Sequence, residues 1–272
     1  MSSTDAPIDL ERLLSRLDAI VREAGEIALG YFRGGAAKRW SKHDDSPVTE
    51  ADIAVDRFLA ERLPPLVEGS AWLSEETADT TERLSRRHVW IVDPIDGTRA
   101  FIEGRPEWVV SAALVEHGAP VLGVVHNACE DETFAGARGA GAFRNGAQLR
   151  MDDLEGLAGL NIGGPQSLLS SLAAHGVVKG QWRYALANRL VQVAGGGLDA
   201  ALARPNAHDW DIAAAHVILE EAGGRLIGFD GAVPTYNRAG TRHGGLIAAA
   251  PARASALMDA LAHERAALET QQ

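Results

Sequence analysis

The chain of 272 residues holds a single cysteine, Cys129. One thiol cannot close an internal disulfide and excludes a zinc site built from thiolates, so any metal must be held by oxygen or imidazole ligands, which favours hard cations. Cys129 has no evident base partner and reads as an inert small apolar side chain. No window holds the ~18 apolar residues that a membrane span requires, so no membrane partner is expected and the chain reads as soluble. The opening MSSTDAPIDLERLLSRLD lacks a basic stretch followed by an apolar one, so a secretory signal is not expected and the cytoplasm is the expected compartment. Positive charge is also scarce: 26 Lys and Arg against 37 Asp and Glu leave a net charge of −11. Duplex binding needs a basic face that releases counterions from phosphates, so nucleic acid is not an expected partner. No repeat of fixed period and no sustained heptads occur. Apart from His208, the histidines show no HExxH or paired ligand spacing.

What is present is an ordinary globular composition, 46% hydrophobic and 23% charged, on a chain long enough for a sizeable core. Leu10, Leu13, Leu14, Leu17, Ile20, Val21, Ala24 and Ile27 recur at helical spacing and predict an amphipathic helix that stops at Gly34 and Gly35. Residues 36–48 read as irregular, and Thr49 followed by Asp52 has the pattern of a capping box opening a second helix that Pro64 and Pro65 end. After the acidic stretch LSEETADTTE, the run HVWIVD at 88–93 predicts a buried strand ending at Pro94. VVSAALVE and PVLGVVHN flank His117 and Gly118 as a hairpin, and ETFAGA with GAFRNGAQLR continues an antiparallel sheet. From about residue 151, short apolar runs alternate with helical segments near 165–175, 183–194, 210–222 and 251–265, with Gly195 to Gly197 as a helix stop. GARGAG at 136–141 lacks the strand-to-helix context and the glycine order of a dinucleotide site and reads as turns. The expectation is an α/β chain in two lobes, residues 1–150 and 151–272, with the site between them.

The chemistry concentrates in WIVDPIDGTRAF, where Asp93 and Asp96 lie three residues apart at the mouth of a strand with a proline stiffening the turn. Two carboxylates about 4 Å apart repel by roughly 4 kcal/mol at an effective dielectric of about 20. Such a pair must be screened, protonated or bridged, and a hard divalent cation is the simplest bridge. Gly97 and Thr98 follow with backbone N–H groups and a hydroxyl at what reads as the N-terminus of a short helix, a seat for phosphate. An acidic chain that takes a phosphate ester must neutralise it locally, with bound cations or a few arginines.

WIVDPIDGTRAF resembles the signature of the inositol monophosphatase family, and three further blocks fit in order: SPVTEADIAVD at 46–56, LSEET at 73–77 and HDWDIAAAHVILEEAGG at 208–224. With GAFRNG at 141–146, the similarity runs from about residue 40 to 250. The resemblance implies a layered αβαβα sandwich of the type shared with fructose-1,6-bisphosphatase. It also implies lithium-sensitive hydrolysis of a small phosphate monoester, two to three Mg2+ per site, and a homodimer. Carried over residue by residue, it makes Glu75, Asp93 and the Ile95 carbonyl ligands of one magnesium. Asp93, Asp96 and Asp211 hold a second, with a weaker third ion near Glu75. Thr98, Asp52 and Glu75 are the implied catalytic residues, Thr98 pairing with Asp52 to orient and help deprotonate the attacking water. Gly97 and Thr98 amides hold the phosphate; Asp211, His208 and Asp209 adjoin the substrate; Glu76 and Lys42 support the site.

Each acid also has a plainer reading from its local sequence. Asp52 is equally the third-position acid of the capping box, Asp209 a helix N-cap, and Asp211 a first-turn acid favoured by the helix dipole. Glu75 and Glu76 sit in a run that reads as a solvated surface loop. Departures from the family bear on the substrate. Arg99 follows the signature threonine where many inositol phosphatases have Thr; TRAF is similar to histidinol-phosphate phosphatases, and HDWD to bacterial bisphosphate nucleotidases. Arg99, Arg105 and Lys179 are candidates for a second phosphate or plain surface residues. The expected substrate is inositol 1-phosphate, with a 3'(2'),5'-bisphosphate nucleotide and histidinol phosphate as alternatives. A silent family member that only binds a phosphorylated ligand is the non-enzymatic alternative, and the retention of Glu75, Asp93, Asp96, Asp211, Thr98 and Asp52 argues against it.

Overall fold

A computed structural model gives the structure of the chain and describes residues 8–35, 39–41 and 47–262. The apolar stripe at the start forms α1 (Leu10–Gly34), opened by Asp9, whose side chain accepts from Arg12 N, and closed by Gly35 in the left-handed conformation. Two short strands, β1 (Arg39–Ser41) and β2 (Pro47–Thr49), pair antiparallel in the stretch expected to be irregular. Thr49 then caps α2 (Glu50–Arg62) with the full capping box, and the prolines follow as a single 3-10 turn. Lys42 lies outside the described residues, as does the chain beyond 262, where the last helix was expected to run to about 265.

The first sheet has seven strands, β3 (Ala71–Ser74), β4 (His88–Asp96), β5 (Val109–Glu116), β6 (Ala119–Asn127), β7 (Glu132–Ala137), β8 (Gly141–Arg144) and β9 (Ala147–Gln148), paired in that order. The β5–β6 hairpin turns on His117 and Gly118, both at positive φ, the requirement of its tight turn. Two expectations need correction. The opening of the acidic stretch, Leu73 and Ser74, ends strand β3, which pairs parallel to β4, so the sheet is mixed rather than wholly antiparallel. β4 also does not end at Pro94. It runs on to Asp96 through a register shift between Asp93 and Asp96, where a proline lacks no ladder bond because the ladder is already broken.

The second sheet has five strands, β10 (Asn161–Gly163), β11 (Val178–Lys179), β12 (Ala200–Ala203), β13 (Arg225–Gly228) and β14 (Leu246–Ala249), in the order β11-β10-β12-β14-β13. Its helices are α4 (Gln166–Ser171), α5 (Leu186–Ala194), α6 (Asp209–Glu221) and α7 (Pro251–Ala260), with the five-residue α3 (Thr98–Ile102) following β4.

Strand periodicity explains the layering. On β4, Trp90 and Val92 face α1 and α2, packing with Leu17, Val21 and Leu59, whereas Val89 and Ile91 face the opposite way. That second face meets Leu190, Val191, Ile212 and Ile218 of α5 and α6, which in turn rest on Ala201 and Ala203 of β12. The far side of the second sheet, Ile162, Leu202 and Ile247, is covered by Leu168 and Leu257 of α4 and α7. The order is helices, sheet, helices, sheet, helices: an αβαβα sandwich. β4 is buried on both faces, and so reads as a continuous apolar run and not as an alternating one.

Candidate active site

The ends of several elements converge beside the C-terminal end of β4. Asp93 and Asp96 come from the broken stretch of β4, Glu75 from the loop after β3, Asp52 from the first turn of α2 and Asp211 from the first turn of α6. Asp93 and Asp96 are 2% and 8% exposed, and Asp52 is 1% exposed, so their charge sits where water cannot screen it. Burial pushes Asp93 well above the usual carboxylate range, and the charges of Glu75, Asp96, Asp211 and Asp52 push it further. Burial raises Asp211 likewise, with Asp96 adding to it; His208 N, donating to its Oδ2 at 2.7 Å, partly offsets this. Asp96 is pushed up to about 7 by burial, against hydrogen bonds from the Ala187 and Leu186 amides, the first at 2.6 Å, and against the nearby Arg189 guanidinium. These acids feel one another strongly, yet among the described residues no three His, Cys, Asp or Glu side chains are drawn together closely enough to form a metal site. Like charges shielded from water hold apart or take up protons.

Asp52 reconciles its two readings, because its carboxylate oxygens have different partners. Oδ2 accepts from Thr49 Oγ1 at 2.6 Å and Thr49 N at 2.8 Å, completing the capping box. Oδ1 lies 3.4 Å from Thr98 Oγ1, which also lies 3.1 Å from the Ile95 carbonyl oxygen. Burial raises Asp52 to about 6, against the hydrogen bonds from Thr49. Between Asp96 and Thr98, Gly97 has φ +93, and a Cβ there would meet Ala185 Cβ at 3.2 Å and Trp108 Cα at 3.4 Å. Conformation and space both demand glycine. The first amides of α3 are free of helical partners by construction.

The remaining expected residues divide. Glu76 lies half-buried beside Glu75, its amide 3.4 Å from Ser74 Oγ. His208, not Asp209, is the N-cap of α6; its half-exposed ring stacks on Trp210 at 4.4 Å and meets Thr241 Oγ1 at 2.7 Å. Asp209 as a substrate contact is corrected by its burial. It is 0% exposed, with Oδ1 2.7 Å from His243 Nε2 and Oδ2 accepting from Asn237 N at 2.9 Å, so both oxygens tie α6 to the 237–243 loop. Arg99 is exposed on α3, Arg105 pairs with Glu103 at 3.1 Å, and Lys179 is exposed on the edge strand β11.

Two residues bear on the site that sequence reasoning did not single out. Asp56, 9% exposed, accepts from Ser74 Oγ at 2.5 Å and Thr77 Oγ1 at 2.7 Å, gripping both ends of the loop that carries Glu75 and Glu76. A signal was present: an acid one helical turn after Asp52, on the same face of α2. Arg189 is 6% exposed and sits near Asp96; nothing in the pattern ANRLVQVA marks it as different from a solvated arginine.

A sandwich of this layering, with acids gathered at a broken strand end and at helix N-termini, is the build of a metal-dependent phosphoric monoester hydrolase. The sequence matches the inositol monophosphatase family over residues 9–269. It is 32% identical over 248 residues to the 3'(2'),5'-bisphosphate nucleotidase CysQ of Aggregatibacter actinomycetemcomitans, covering 85% of this chain and 90% of that one. It is 34% identical over 242 residues to the histidinol-phosphatase of Mycobacterium tuberculosis, covering 84% and 92%. The extragenic suppressor protein SuhB of Bartonella henselae superposes with a TM-score of 0.80 at 26% identity, over 92% of this chain and 98% of that one. The chain belongs to the inositol monophosphatase family.

Proposed function

We propose that the protein hydrolyses a small phosphate monoester with magnesium, using Glu75, Asp93, the Ile95 carbonyl, Asp96 and Asp211 to hold two or three ions. The reading rests on one observation: acids from four distant segments, with Asp52, Asp93 and Asp96 buried, lie near enough for their charges to oppose one another, a donor set suited to a hard divalent cation and costly without one. When bound, the ions supply Lewis acidity towards the phosphoryl oxygens and a lowered pKa for bound water.

The chain's own residues supply the rest. Thr98 Oγ1 can take a proton from water lying against it while passing its own to Asp52 Oδ1, 3.4 Å away. Asp52, raised to about 6, is matched to that proton near neutrality. Its Oδ2 stays fixed by Thr49, which keeps Oδ1 aimed at Thr98. The Gly97 and Thr98 amides seat the phosphate, set by the left-handed turn at Gly97, and half-exposed His208 and Asp211 border the alcohol half.

For the substrate itself, inositol 1-phosphate is the reading carried from the signature blocks. The CysQ and histidinol-phosphatase names favour two others, a 3'(2'),5'-bisphosphate nucleotide and histidinol phosphate. Lithium inhibition and a homodimer accompany the family reading. Replacing Asp93→Asn is expected to remove nearly all magnesium-dependent phosphate release, at least 100-fold, with an unchanged circular dichroism spectrum. Undiminished turnover in that variant overturns the assignment.

A further inference from the structure

The segment 181–187, QWRYALA, runs along the floor of this site. Ala185 N stands 3.3 Å from where a Cβ of Gly97 would be, and Ala187 N donates to Asp96. Just upstream the chain presents two rings. Trp182 is 41% exposed, and its ring lies edge-on to Tyr184, centroids 6.2 Å apart and planes at 75°. The guanidinium of Arg189 lies 4.8 Å from the Trp182 ring centroid, and Arg189 is itself buried, with no hydrogen-bond partner for Nε. The Tyr184 hydroxyl donates to Glu103 Oε2 at 3.3 Å, at the end of α3, which pins Tyr184 to the element whose first residue is Thr98.

An indole held by a buried cation and by an anchored tyrosine loses little conformational freedom when a ligand covers it, while its exposed surface remains wet until then. Trp182 and Ala185 are three positions apart, at most about 10 Å of chain. That is the scale of a nucleotide from phosphate to base. Glu103 and Glu130 on this rim are paired with Arg105 at 3.1 Å and Arg183 at 3.5 Å, so the ammonium group of an amino alcohol would compete with an arginine for either carboxylate.

We propose that Trp182, edged by Tyr184 and backed by Arg189, selects substrates by stacking on a planar heteroaromatic ring in the alcohol half, and that the ring is the base of a nucleoside phosphate. The proposal rests on the phosphomonoesterase reading for the chemistry and adds the residue that chooses the leaving group.

The test compares wild type, Trp182→Ala and Trp182→Phe with magnesium on three substrates: adenosine 3',5'-bisphosphate, histidinol phosphate and inositol 1-phosphate. Trp182→Ala is expected to raise KM for the nucleotide about tenfold with kcat nearly unchanged, to leave inositol 1-phosphate within about twofold, and Trp182→Phe to restore most of the loss. An equal effect on ringed and ringless substrates, or none on either, overturns the proposal. A loss confined to histidinol phosphate keeps the stack but overturns the nucleoside as its occupant. Calorimetric titration of the magnesium-loaded protein with adenosine 5'-monophosphate separates the two levels of inference. Binding that weakens about tenfold in Trp182→Ala upholds the stack even where no substrate turns over, and binding indifferent to Trp182 rejects it even where phosphate is released.

Discussion

At the scale of single residues, the site is built from groups that each do two things. Asp52 caps α2 with one oxygen and faces Thr98 with the other. The cap was legible in the sequence because Thr49 and Asp52 stand at the spacing that closes a box; the partner of the second oxygen lies 46 residues away and was legible only through the family signature. Asp56 had no such help. It braces the Glu75 loop through Ser74 and Thr77, and each hydrogen bond to a charged acceptor contributes on the order of 1.5–3 kcal/mol. Asp56→Ala is therefore expected to raise the magnesium concentration for half-maximal rate about tenfold, with a loss of metal-free stability of about 2 kcal/mol. Rates titrated against magnesium, beside melting of the stripped protein, check this. A stability loss with an unchanged magnesium requirement would mean that Asp56 serves only the fold.

At the scale of elements, α6 matters most because its first turn carries Asp211 while its body lies between the two sheets. Its residues from Ile212 to Leu219 are all buried, so it has no polar face for a periodicity argument to find, although its length and type were readable. Its closeness to the first sheet was not readable at all. A Cβ on Gly123 of β6 would stand 2.6 Å from Ala214 O and 2.8 Å from Ala214 Cα, so backbone rests on backbone. Gly123→Ala is expected to force α6 outward, costing about 1–3 kcal/mol in denaturant unfolding and weakening magnesium binding as Asp211 shifts. Wild-type stability in that variant would show that the two layers have room to spare. β3 was missed for a related reason: four residues running straight into SEET carry too little pattern to be a strand, and it is the neighbouring β4 that makes them one.

At the scale of the molecule, the sandwich brings together acids from segments 52, 75, 93–96 and 211, and the cost of that gathering is set by pH. Pattern reading supplied most helices and the hairpins, but not which face of each sheet meets which helix, since that depends on layers formed by residues more than 100 positions apart. The electrostatic consequence has a definite sign. Asp52 at about 6 and Asp96 at about 7 hold protons more tightly folded than unfolded, and Asp93 and Asp211 are displaced the same way. Their contribution is intact below the unfolded carboxylate range near 4 and is lost as pH rises through about 6 to 7. Buried His126, lowered to about 4, works in the opposite sense over part of that window, but equally with and without metal, so it drops out of a difference.

Thermal melting from pH 5 to pH 8, with and without saturating magnesium, isolates that difference. If the gathered carboxylates bind divalent cations, magnesium raises Tm by about 5 °C or more at pH 8, and the gain shrinks towards pH 5 as protons occupy the same oxygens. A Tm that ignores magnesium at every pH would contradict it.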